Sequence, residues 1–450
     1  MTRQKSYDID MCSGSLPKKM LLFALPLIFS SILQLLFNAA DLVVVGRCVG
    51  DEALAAVGST GPLINLLTNL FLGLSVGANV LVARYVGARQ DRDVEETVHT
   101  AVLISVLSGL LLAAVGFCFS RPLLVLMDTP ADVLPKASTY MRIYFLGMPI
   151  MMLYNFGSAI LRAIGDTRRP LYYLAFAGVI NVGLNLMFVL WFGMGVSGVA
   201  YATVISQFVS AVLVMNNLAH QDNACRFRMS ALQIHPRKLA LIARIGLPAG
   251  LQGCIFSLSN TLIQKSVNSF GKLAVSGNSA SINIEGFIYV SMNAWHHTTL
   301  SFTGQNYGAG KMDRVRKTLA WGLLYVFVFG ACLGGIALIF RRPLIGIYTS
   351  NAEAIEYGVR RLGVILTTYF LCGVMDVLVG CLRGIGYSLL PTVVSLLGVC
   401  GLRITWIYTY FAKHHDLRNL YFSYPISWAL TAALHLTVYL CWAHRHTRRD

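Results

Sequence analysis

Runs of about 20 apolar residues recur along nearly the whole chain, separated by short polar stretches. They lie near 20–45, 53–82, 98–120, 140–161, 171–193, 196–217, 246–270, 275–303, 319–340, 362–382, 391–412 and 420–442. Each is long enough to cross the hydrocarbon of a bilayer as a helix, and several exceed that minimum, which implies tilt or kinks. The pattern predicts about twelve membrane-spanning helices and no sheet. Gly73 and Gly77, four apart in the second run, are spaced for close helix packing. The N-terminal tail is polar and the first run continues too far for the core of a cleavable signal.

Composition excludes the main rival, a large soluble helical core. Of 450 residues, 56% are hydrophobic and 12% charged, about half the charged share of an ordinary soluble domain. The mean hydropathy is +0.63. A net charge of +16 raises the question of nucleic acid, but its distribution answers it. Counting Lys and Arg in alternate segments puts 23 in the tails and even-numbered loops, 10 in the odd-numbered loops and 3 inside spans. The odd-loop set includes Arg360 and Arg361. This bias predicts both termini in the cytoplasm, with the basic residues at the lipid surface and no nucleic-acid partner. The ten cysteines are scattered without CxxC pairs and read as small buried residues. His296-His297 and His414-His415 lack i,i+4 ligand spacing and read as packing or interfacial residues.

The chain also repeats itself. "LRAIGDTRRP" (Leu161–Pro170) returns as "LRGIGYSLLP" (Leu382–Pro391), an offset of 221 (382 − 161). The same offset carries Gly87-Ala88 onto Gly308-Ala309, and Arg121-Pro122-Leu123 onto Arg342-Pro343-Leu344. Leu25-Pro26 and Asn38 return at Leu247-Pro248 and Asn260, offset 222. A spacing held over more than a hundred residues means that spans and loops kept their lengths. The expected fold is therefore an all-α integral membrane protein: twelve transmembrane helices as two six-helix bundles related by a parallel internal repeat. Six crossings per copy insert both halves the same way up, an arrangement suited to a substrate site and rocking motion between lobes. The expected organisation is a cytoplasmic N-terminal tail 1–19, an N-lobe 20–217, a basic cytoplasmic connector 218–240, a C-lobe 241–442 and a cytoplasmic C-terminal tail 443–450.

These phrases, in this order, carry a resemblance. "ALPLIFSSILQLLFNAADLVVVG" (24–46), "VARYVGARQ" (82–90), "LRAIGDTRRP", "GLPAGLQ" (246–252), "GQNYGAGK" (304–311) and "LRGIGYSLLP" resemble the MATE (multidrug and toxic compound extrusion) family of secondary transporters, over almost the full chain. The nearest likeness is to the bacterial branch that includes the DNA-damage-inducible transporters. "RYVGARQDRDVEE" lacks the loop signature of the major facilitator family. The resemblance implies a monomer in the bacterial cytoplasmic membrane that exports organic cations or amphipathic compounds in exchange for H⁺ or Na⁺, with no cofactor. The alternatives are a lipid-linked oligosaccharide flippase of the same superfamily, which predicts a broad cationic cavity, and, from other classes, a channel or a membrane enzyme. No HExxH, nucleophile elbow or phosphate-binding glycine loop supports catalysis.

An ionisable residue at membrane depth is by default a functional candidate. Asp41 shares one helix face with Gln34 and Asn38, at i, i+4 and i+7. The 222 offset maps Asp41 to Ile263, so the second half lacks this acid. Desolvation disfavours a carboxylate, and a nearby cation favours it, so proton and cation can compete for one group. In the resembling family the N-lobe cation pocket joins a first-span acid, a fifth-span Asn, a fifth-span acid and a sixth-span Thr. Asp41, Asn181 and Thr203 match, and are the expected ligands should the ion be Na⁺. Asn185 departs, being an amide where many members have Asp. In the second half, Glu285 and Asp376 are candidates for a further substrate or ion site, with an internal ion pair to Arg403 or Lys265 as the structural alternative. The family's seventh-span acid has no counterpart near Ile255 and Phe256. Asn65 and Asn69 read as packing amides. Met152, Tyr154, Asn155 and Tyr289 are candidates for the wall of a cargo cavity.

Overall fold

A computed structural model describes residues 7–447. Residues 1–6 and 448–450, with Arg3, Lys5, Arg448 and Arg449 of the basic count and the ends of both expected tails, lie outside the described residues. The first half folds as α1 (Leu16–Cys48), α2 (Asp51–Gly87), α3 (Asp91–Leu126), α4 (Leu134–Leu146), α5 (Met148–Ile164), α6 (Arg168–Leu186) and α7 (Gly195–Ala219). The second half gives α8 (Pro236–Asn268), α9 (Lys272–Gly308), α10 (Met312–Ile339), α11 (Arg341–Gly346), α12 (Ala352–Ile365), α13 (Phe370–Gly384), α14 (Leu389–Ser395), α15 (Leu402–Trp406) and α16 (Leu417–Thr447). Among the described residues there is no strand.

Nine of the described helical segments are long and apolar enough to cross a membrane. The pairs α4–α5 and α12–α13, each bent by 49° at a short break, raise the number to eleven. The twelfth span is α9, whose 37 residues include Asn278, Glu285, His296, Thr298, Thr299, Thr303 and Asn306, all buried. It is too polar to face lipid and packs against α10, α12 and α13. The chain is thus an all-α membrane protein of two six-helix bundles. Its surface is inverted relative to a soluble protein. Phe29, Leu110, Leu111 and Val179 are exposed, while Thr97, Thr100, Ser105, Ser210 and Ser281 are buried. Small hydroxyls satisfy themselves within their own helices, as Thr100 Oγ1 does on the Glu96 carbonyl at 2.7 Å, so they cost little inside a bundle. Trp191 and Phe192, exposed at the end of the fifth span, suit the membrane–water boundary.

The repeat is legible in the backbone. The two bent spans break at equivalent places, after Leu146 and after Ile365. A π-helical segment closes the fifth span at Met187–Trp191 and the eleventh at Ile407–Phe411. The repeated phrase turns the chain between helices. Gly165 (φ 103°) and Gly386 (φ 95°) occupy the left-handed region that glycine enters without strain. In the first copy the Asp166 carboxylate accepts the N–H groups of Arg168 and Arg169, both at 3.1 Å, and so caps α6. Burial pushes the Asp166 carboxyl above its ordinary range, and those N–H groups and the Arg169 charge work against that shift.

Packing divides the chain into two compact units. The first comprises Leu25–Cys254 and the described residues up to Ser13; the second comprises Gly14–Ala24 and the described residues from Ile255. Each unit therefore takes in the first turns of the other half's leading helix. In the second unit, Phe23 meets Phe302 edge-on at 5.5 Å, and Tyr325 donates to the Pro17 carbonyl at 3.2 Å. In the first unit, the start of α8 crosses α2 at glycines. A Cβ on Gly73 would sit 2.3 Å from the Gly250 nitrogen, and one on Gly250 would sit 2.3 Å from the Leu70 carbonyl oxygen. The basic connector is tied to α3. Arg228 and His235 donate their backbone N–H groups to His99 Nε2 and Thr100 Oγ1, both at 3.1 Å, and Lys238 pairs with Asp93.

Gly250→Leu is expected to lower thermal stability by about 1–3 kcal/mol or more, because backbone rather than a movable side chain fills the space. Gly335→Ala, where a new Cβ meets nothing within 4 Å, should leave it unchanged or slightly raised. Unfolding of the purified protein followed by size-exclusion fluorescence checks both.

Candidate functional site

Each unit encloses a cavity. That of the first unit is about 470 Å³ and is lined by α1, α2, α4, α5, α6 and α7. The apolar length of α1 is interrupted by Gln34, Asn38 and Asp41, and all three line this space. Asn181 of α6 and Thr203 of α7 line it too. Asn185, one turn beyond Asn181, donates its amide to the Asp41 carboxylate and reaches Asn181 Oδ1 at 3.3 Å. Thr203 Oγ1 donates to the Val199 carbonyl of its own helix at 3.0 Å, leaving its lone pairs for other partners. Among the described residues, Asp41 is the only carboxylate on this wall, and no Lys or Arg lines it. The cavity is a polar well of one negative charge.

Several wall residues escaped the sequence reading. Tyr140 and Tyr144 of α4 stack with centroids 6.0 Å apart and bound the well with Met151, Thr68, Ser206 and Gln207. Their i,i+4 spacing on one face was the available signal. Asn65 also lines the well, whereas Asn69 packs against α8, within 3.4 Å of a Cβ on Gly253. Met152, Tyr154 and Asn155 are not on the wall of either cavity described here. Met152 is fully buried, and the Asn155 amide donates to the Met151 carbonyl at 2.8 Å.

The second unit holds a cavity of about 340 Å³, lined by α8, α9, α12, α13, α15 and α16 and by residues of the adjoining breaks. Glu285, Asp376 and Tyr289 all line it. Glu285 does have an ion-pair partner, but neither Arg403 nor Lys265 fills that role. Arg361 Nε and Nη2 each donate to the Glu285 carboxylate at 2.8 Å, and Arg361 Nη1 donates to Asn278 Oδ1 at 3.0 Å. Arg361 is 3% exposed, so its place among the loop cations is corrected. Successive helical residues point about 100° apart, and Arg360 alone faces outward. Lys265 is exposed. Asp376 is buried, with one carboxylate oxygen lacking a hydrogen bond.

The two cavities are the same place in the two copies of the repeat. Gln34, Asn38 and Asp41 correspond to Phe256, Asn260 and Ile263 at offset 222, and Val57, Ile64, Thr68 and Tyr140 to Asn278, Glu285, Tyr289 and Arg361 at offset 221. Thr203 and Gln207 correspond to Tyr424 and Trp428. Duplication supplied two wells, and substitution gave them different chemistry. Among the described residues no cluster of three His, Cys, Asp or Glu suits a tightly held metal ion.

The MatE family model matches residues 26–187 and 248–409, one match per repeat. The chain is 28% identical to the probable multidrug resistance protein YoeA of Bacillus subtilis (strain 168), over 93% of this chain and 92% of that protein. It is 30% identical to the probable multidrug resistance protein YpnP of the same organism, over 89% of each. Among solved structures, an outward-facing multidrug resistance MATE family transporter of the MOP superfamily superposes with a TM-score of 0.88, at 21% identity, over 96% of this chain and 97% of that one.

Glu285→Ala should destabilise the protein by about 3–5 kcal/mol, because it leaves Arg361 buried without its carboxylate. Removing both partners in Glu285→Ala/Arg361→Ala should cost much less than the sum of the two single changes. A double-mutant cycle of thermal unfolding measures this.

Proposed function

The chain belongs to the MatE family, a family of membrane transporters, and we propose that it is a secondary antiporter exporting cationic or amphipathic organic compounds in exchange for H⁺ or Na⁺ by alternating access. The observation that carries this reading is the first-unit well, with Asp41 as its one charge. A proton, Na⁺ or an organic cation arriving there meets a single carboxylate, and a single carboxylate binds one of them at a time. That competition is the exchange. Where the ion is Na⁺, the side-chain oxygens of Asp41, Asn181 and Thr203 are its ligands, hard oxygen donors of the kind such a cation takes. Asn185 holds the Asp41 carboxylate through its amide and adds no second charge, so one cation per cycle is the expected stoichiometry. Gln34 and Asn38 extend the polar face of α1 along the well. The aromatic pair Tyr140–Tyr144 and Met151 supply flat and polarizable surface for an aromatic cation.

Alternating access follows from the parallel repeat. Loading of Asp41 shifts the balance between inward-open and outward-open states by no more than its difference in binding free energy between them. In this reading the protein works as a monomer in the bacterial cytoplasmic membrane with both termini in the cytoplasm, as the basic loops imply. The names of the relatives YoeA and YpnP support multidrug export as the activity.

Asp41→Asn should abolish dye and drug efflux in efflux-deficient cells while membrane expression and thermal stability persist. Asn185→Ala should lower efflux and keep its ion dependence. In proteoliposomes, ethidium transport under separately imposed proton and sodium gradients identifies the coupling ion. Efflux by Asp41→Asn equal to that of the parent chain would overturn the proposal.

A further inference from the structure

The second-unit cavity contains a buried cation that the fold does not pair with an anion. Its walls hold two buried guanidinium groups, Arg361 and Arg403, and two buried carboxylates, Glu285 and Asp376. Glu285 is taken up by Arg361 through two 2.8 Å bonds, whereas one Asp376 carboxylate oxygen has no hydrogen-bond partner. Arg403 remains. It is 5% exposed, lines the cavity, and has no carboxylate partner among the described residues. Its Nε donates to Ser427 Oγ at 3.1 Å, and its guanidinium lies over the rings of Tyr424 and Trp428, at 4.2 and 5.7 Å. Arg361 shares the Tyr424 ring, at 5.3 Å, so two like charges flank one aromatic face. A guanidinium has five donors in a planar fork. A hydroxyl and two ring faces neither use that fork up nor neutralise the charge. Burying a cation in a bilayer-embedded bundle is costly unless an anion meets it.

The repeat shows that this is a departure from the shared scaffold. Arg403 corresponds to Val182 of the first half, while the rings it touches, Tyr424 and Trp428, replace Thr203 and Gln207. Arg403 and the two rings it touches are therefore found only in the second copy. A π-helical segment at Leu396–Gly401, which has no counterpart in the ordinary helix of α6, ends two residues before Arg403. π-segments of this kind redirect the following side chains and are common at functional sites.

We propose that the second-unit cavity is a separate binding site for a small aromatic compound bearing an anionic group, a carboxylate or sulfonate, with Arg403 holding the anion by its fork and Tyr424 and Trp428 stacking on the ring. This goes beyond the cation site at Asp41, to a second site that recognises an anion. Such a compound fits a space of about 340 Å³, which is within the size range of small-molecule pockets.

The test is calorimetric titration of the full chain in lipid nanodiscs, with empty nanodiscs subtracted, using 2-naphthoate and its uncharged analogue 2-naphthamide. The parent chain is expected to bind naphthoate at least tenfold more tightly than naphthamide. Arg403→Gln should weaken naphthoate at least tenfold and leave naphthamide unchanged. Arg403→Lys, which keeps the charge and loses the fork, should fall between. Trp428→Ala should weaken both probes. The comparison of acid and amide on the parent chain needs no variant, so it stands even where Arg403→Gln fails to fold. Equal affinity for the two probes, or naphthoate binding untouched by Arg403→Gln, would overturn the site. The measurement reads binding and not transport, so its failure leaves the Asp41 reading standing, and the loss of that reading leaves this one intact.

Discussion

A charge at the depth of a bilayer's hydrocarbon has to be met by an opposite charge, by polar groups or by a wet cavity, and lipid offers none of these. Only the interior of a helix bundle can hold one. The arrangement of this protein follows from that constraint. Residues such as Phe29, Leu110 and Leu111 face outward, hydroxyl residues bonded within their own helices sit in the bundle interiors, and Asp41, Glu285, Asp376, Arg361 and Arg403 line two cavities. Even α9, the span too polar to pass as one on hydropathy alone, is tolerated because α10, α12 and α13 enclose it.

Within that constraint the duplicated scaffold separates architecture from chemistry. Bent spans, π-helical ends and glycine turns recur at the same offset in both halves, and so do the cavities. What lines them does not recur. One well has a lone carboxylate among amides, hydroxyls and two tyrosines. Its counterpart replaces the acid with Ile263, a tyrosine with Arg361, and a threonine and glutamine with Tyr424 and Trp428. The geometry of a cavity depends on where helices bend and cross, which many sequences satisfy. Its selectivity depends on a few side chains, which drift freely once the cavity exists.

The crossing of α2 and α8 shows how local spacing becomes a tertiary fact. Gly73 and Gly77 stood out in the sequence as a packing signal, but nothing near them names the partner. The partner is another glycine pair, Gly246 and Gly250, more than 160 positions on, and the backbones meet so closely that neither side admits a Cβ. The connector illustrates the converse. Its polar composition marks it as a connector but names no partner, and two of its backbone donors are used by His99 and Thr100, because an unpaired N–H beside a packed surface finds the nearest acceptor.

The sequence alone determined the number and length of the spans, the doubling of the chain, the turn chemistry of the repeated phrase and the polar face on which Asp41 lies. These are properties of period and order, which a linear string records in full. The tertiary structure alone decided who meets whom. Arg361, counted in the sequence among loop cations, turned inward to Glu285 across 76 positions. Arg403 was left to two aromatic rings, and Met152 and Asn155 lie off the walls of both cavities. A partner across a bundle is set by the rotation and depth of two helices at once. A rotation of one residue, about 100°, moves a side chain from cavity to core or lipid, and no spacing within a single helix records it.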